Sequence, residues 1–97
     1  MTKKEIHIKS VLKKKGYIFE PKFMPTTLCF NKYNWKDVEP NKKKSYVHVV
    51  FYLHTDTNKA SLTIFTDFTI KSTSELEKYY IVYNRVKGDL EELGFKL

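Results

Sequence analysis

Tyr46-Val47-His48-Val49-Val50-Phe51-Tyr52-Leu53-His54 decides the fold. Its alternation puts Val47, Val49, Phe51 and Leu53 on one side and Tyr46, His48, Val50, Tyr52 and His54 on the other, as expected of a half-buried β-strand. Asp56-Thr57-Asn58-Lys59 follows as a turn. The next alternating run, about residues 60–70, should therefore return antiparallel as a hairpin. Its two faces read Leu62, Ile64, Phe68, Ile70 and Ser61, Thr63, Phe65, Asp67. Register carries Phe65 across to the His48 side.

Outward from the hairpin, both ends of the chain read as helix. Thr2-Lys3-Lys4-Glu5 is a capping box, Ile8, Val11 and Leu12 make a short apolar stripe, and Gly16 stands where a helix stops. These signals give a first helix over about 3–15. A second helix should open at Ser72 or Ser74, each with Glu three residues on, and close at Gly94 with Phe95 as its apolar contact. Gly88 inside it costs about 1 kcal/mol relative to Ala. Leu76, Tyr79, Tyr83, Val86, Leu90 and Leu93 form its apolar seam, widened by Tyr80 and Ile81. Under three heptads with Tyr at two seam positions suits docking on a sheet better than a coiled coil.

Between first helix and hairpin, Tyr17-Ile18-Phe19-Glu20 is strand-like until Pro21, and residues 26–33 alternate with Leu28 and Phe30 on one face. Residues 34–45 read as a polar loop containing Trp35 and Pro40. The expectation is a single α+β domain over 1–97: an N-terminal helix, a three- to four-stranded antiparallel sheet and a long C-terminal helix, both helices on one sheet face. The order of elements resembles the double-stranded-RNA-binding domain. That family opens its second helix with lysines, whereas Ser72-Thr73-Ser74-Glu75-Leu76-Glu77 carries two acids, so the resemblance is one of topology and assigns no family.

Charge supplies the main functional signal. The chain has a net charge of +7, and its excess lies in the first half, where twelve Lys face Glu5, Glu20, Asp37 and Glu39. The clusters Lys13-Lys14-Lys15 and Lys42-Lys43-Lys44 could hold a polyanion or an acidic protein surface. Lys, Asn, Ile, Tyr and Phe share AT-rich codons, so part of this bias follows base composition. The first triplet also suits the negative end of its helix dipole. With Arg85 the only arginine, ammonium groups would meet phosphate as point charges and read bases little.

If both helices cover one sheet face, the other presents Tyr46, His48, Tyr52 and His54, joined by Phe65 and with Tyr33 beside them, as a surface on which bases can stack. The leading expectation is a non-catalytic nucleic-acid-binding module. Lys13, Lys14, Lys15, Lys42, Lys43 and Lys44 would neutralise phosphates, while Tyr46, Tyr52 and Phe65 would stack, with His48 on the same face. One rival is a phage- or mobile-element-type protein that uses the same surface to inhibit a host nucleic-acid-processing protein. A second rival is a homo-oligomeric subunit, such as a homodimer joined through the aromatic face.

Catalysis finds little support. Cys29 has no neighbouring His or cationic helix end in sequence, and His48 and His54 lie about 20 Å apart along one strand, too far to share a metal. Gly16, Gly88 and Gly94 are isolated, so no phosphate-cradling glycine loop forms and no cofactor is implied. The longest apolar run, Val49–Leu53, is strand-sized. The basic N-terminus lacks the apolar stretch of a secretory signal, and a lone cysteine suits a reducing cytoplasm.

Overall fold

The computed structural model describes residues 2–21, 25–33, 35, 47–66 and 73–97. Among them the elements run α1 (Lys3–Lys14), β1 (Ile18–Glu20), β2 (Thr27–Lys32), β3 (Val47–His54), β4 (Lys59–Thr66) and α2 (Thr73–Glu92). The four strands form one antiparallel sheet in the order β1-β2-β3-β4. This is the expected α+β arrangement, with four strands. The expectations for residues 67–70 and for Ser72 lie outside the described residues; Ser74 is within α2.

The hairpin has the register its alternation requires: Phe51 faces Leu62, Val49 faces Ile64 and His48 faces Phe65. Asn58 closes the turn with φ 56°, a left-handed conformation that Asn tolerates. Val47, Val49, Phe51 and Leu53 are buried, and each intervening residue is half-buried. They join Phe30, Ile8 and Leu12 of α1, and Val82, Val86 and Leu90 of α2 in a single core cluster. Phe30 stacks on Phe51 at 5.5 Å between centroids, and Tyr17 meets Phe51 edge-on at 5.2 Å.

Both helices stop in the same way. In α1, Gly16 N–H bonds the Lys13 carbonyl and Tyr17 N–H bonds the Leu12 carbonyl; in α2, Gly94 and Phe95 repeat the pattern with Glu91 and Leu90. Gly16 and Gly94 have φ of 91° and 88°, which a side chain would strain. These are two Schellman caps. Each delivers a buried aromatic, Tyr17 or Phe95, beside a buried leucine. Tyr17 is thus the residue after a helix stop rather than the first residue of a strand. At the other end of α1, Thr2 Oγ1 accepts from Glu5 N–H at 3.2 Å, as a capping residue should.

One expectation fails, and one residue takes a place that its neighbours in sequence do not suggest. Trp35, in the stretch read as a polar loop, is wholly buried and donates its indole N–H to the Lys32 carbonyl at 3.2 Å. A side chain with so much apolar area, given a partner for its one polar atom, goes to the core whatever its neighbours in sequence. Tyr80 and Ile81 do not widen the packed seam of α2 but are 53% and 48% exposed, and Leu76 is exposed as well. The buried stripe is Val82-Val86-Leu90, repeating every four residues.

Candidate nucleic-acid interface

The first lysine triplet divides. Lys13 and Lys14 are exposed on the last turn of α1 and have no ion-pair partner among the described residues. Lys15 turns to α2, where its ammonium lies 3.2 Å from Asp89 and 3.0 Å from Glu92. The hydrogen bond to Glu92, then that to Asp89, raises its pKa above the ordinary 10.5. Asp89 also accepts from the Tyr17 hydroxyl at 2.7 Å. Lys15 therefore anchors helix to helix, and the lysines presented outward here are Lys13 and Lys14. Lys42, Lys43, Lys44 and Tyr46 lie outside the described residues.

Side chains that alternate with the core residues form the opposite sheet face. Tyr33 stacks on His48 with centroids 3.9 Å apart and planes 21° apart, and His48 stacks on Phe65 at 5.5 Å and 29°. Tyr33, just beyond β2, and Phe65 are about half exposed, so three rings form a ladder across β2, β3 and β4 with its ends in solvent. Among the described residues, buried His48 Nε2 has no hydrogen-bond partner. Because Tyr33 and His48 are already in stacking contact, no base fits between them.

Tyr52 is not in this ladder. It pairs with Cys29 and Ser61, about 13 Å along the strand from His48. Around it lie buried Cys29, half-buried Glu20 and buried Asn31, whose amide donates to the Glu20 carboxylate. His54 is held between Thr27 at 3.3 Å and Ser61 at 3.5 Å. The expected stacking pair Tyr52 and Phe65 is thus split between two places, and Lys13 and Lys14 belong to the helix whose Ile8 and Leu12 join the buried cluster.

Two arrangements had no simple signal in the sequence. Lys32, in register with Val49 on the core side, lies 4.4 Å from the Trp35 ring and 5.5 Å from the Tyr17 ring and donates to the Lys15 carbonyl at 3.3 Å. Desolvation, reinforced by the positive charge of Arg85, lowers its pKa. The second is a groove of about 400 Å³ between α1 and β1, lined by Lys9, Lys13, Tyr17, Ile18, Phe19 and Phe30. Lys9 Nζ lies 3.8 Å above the Phe19 ring at its wall.

Fold and surfaces together define a small α+β protein with a basic helix end and two aromatic surfaces. No protein-family model, curated protein or solved structure matches the chain. Among the described residues, no helix is long and apolar enough to cross a membrane.

Proposed function

We propose that the protein is a non-catalytic module that binds nucleic acid through its phosphates with little sequence preference. The observation that supports this best is the outward pair Lys13 and Lys14, exposed and unpaired among the described residues while the adjacent Lys15 is taken up by acids. A pair of ammonium groups lacking guanidinium forks suits phosphate oxygens rather than base edges. Lys42, Lys43 and Lys44 would extend the phosphate contacts, and the exposed ends of the Tyr33–His48–Phe65 ladder would give unpaired bases a place to stack.

Anisotropy titrations of labelled single-stranded and duplex oligonucleotides over a range of salt test this. Binding should weaken as salt rises, by about 0.7 to 0.9 log units per tenfold salt for each engaged lysine. Lys13→Gln with Lys14→Gln should flatten that slope, whereas Lys15→Gln should leave it nearly unchanged. Salt-independent affinity, or none at low salt, rejects the proposal. If oligonucleotides fail and an acidic host protein binds through Lys13 and Lys14, the inhibitor reading takes its place.

The exposed Leu76, Tyr80 and Ile81 favour a second reading, that of a self-associating subunit. It relocates the contact from the sheet face to α2. Light scattering decides it: a dimer that Ile81→Glu dissociates would support this reading, and a monomer at all concentrations would exclude it.

A further inference from the structure

The α1–β1 groove brings an apolar aromatic slot and two lysines together at the edge of the sheet. Its lining is almost wholly carbon, its aromatic members are Tyr17, Phe19 and Phe30, and its cationic members are Lys9 and Lys13. Tyr17 and Phe30 are buried against Phe51, so the half-buried Phe19, beside Phe30 and under the Lys9 ammonium, is the ring with surface left for a ligand. The groove's volume of about 400 Å³ lies in the usual range for ligand pockets.

We propose that this groove takes one base of a single-stranded nucleic acid, with an adjoining phosphate held by Lys13 and Lys9. The inference rests on the phosphate-binding reading above and moves the stacking site from the sheet face to the α1–β1 edge. Charge complementarity identifies the occupant: each nucleotide couples one flat apolar ring to one anion, and this site couples one apolar slot to two ammonium groups. The walls offer few polar atoms to read base edges, so the site accepts any base that fits. A paired base is held in its duplex and cannot enter, so the groove favours single strands over duplexes. Ile18, 53% exposed on the edge strand, forms a wall that can be changed without opening the core.

The test compares a thymidine 15-mer with an abasic 15-mer of equal phosphate count, using wild-type protein, Ile18→Ser and Lys13→Gln. The thymidine strand should bind wild type at least tenfold more tightly than the abasic strand. Ile18→Ser, with unchanged circular dichroism, should erase most of that difference and leave abasic binding as it was. Lys13→Gln should weaken both strands, and if Ile18→Ser does not fold, Ile18→Thr, which keeps a β-branched side chain on the strand, takes its place and should likewise reduce the thymidine preference. Equal, salt-dependent affinities for the two strands in wild type would overturn the groove assignment and leave the phosphate reading standing. Absence of binding to either at low salt would overturn both. A preference retained in Ile18→Ser would place the base elsewhere, such as at the Phe65 end of the ladder.

Discussion

Tyr17 shows how one side chain can tie three elements together. Its backbone closes α1, its ring meets Phe51 of β3, and its hydroxyl donates to Asp89 of α2, which also pairs with Lys15. Burial, with the Asp89 hydrogen bond second, raises its pKa well above the ordinary 10. A folded-state value above the unfolded one gives stability that is fully present below about pH 10 and lost as pH rises further, because the unfolded phenol ionises first. Lys15 acts with the same sign above its ordinary 10.5, whereas Lys32, lowered by burial, acts with the opposite sign. Tyr17→Phe should destabilise the fold by about 2 kcal/mol at pH 7, the scale of a hydrogen bond to a charged group. Urea melts should show the gap between wild type and Tyr17→Phe shrinking as pH rises past 10. A gap that widens there would contradict this assignment.

At the scale of elements, α2 separates periodicity from burial. The 3-4 spacing from Leu76 to Leu93 marks a helix correctly, but only Val82, Val86 and Leu90 are buried within it. Leu90→Ala should cost about 2 to 5 kcal/mol, and the exposed Ile81→Ala should stay within about 0.5 kcal/mol in a chemical-denaturation series. What the sequence makes legible is local. Period-2 alternation defines β3, glycine followed by an aromatic defines both helix stops, and the hairpin turn puts His48 opposite Phe65. Trp35 has no periodic neighbours to betray its burial. The Lys15–Asp89 contact joins residues 74 apart, and the groove exists only because α1 lies beside β1. Such features depend on tertiary placement, which no window of sequence contains.

At the scale of the molecule, core residues from α1, the sheet and α2 form a single cluster, so among the described residues no element has a separate core to retain on unfolding. Trp35 fluorescence and far-UV circular dichroism should therefore report one coincident transition in denaturant. Two separated midpoints would show that α2 or the hairpin is independently stable. The charge asymmetry also changes meaning at this scale. Lys15 is spent on cohesion between helices and Lys32 on the ring cluster beside Trp35, which leaves Lys13 and Lys14 as the outward members of the first lysine triplet.

The second helix stop bears on how the chain matures during synthesis. Phe95 is buried in the cluster, and Lys96 pairs with Asn58 and Ala60 at the hairpin. Leu12 is synthesised about eighty residues before Phe95, on the order of 5 to 15 s at usual elongation rates. Through that interval Ile8 and Leu12 have none of the α2 residues that complete the cluster. The core of this chain therefore closes only once its last helix stop has been made.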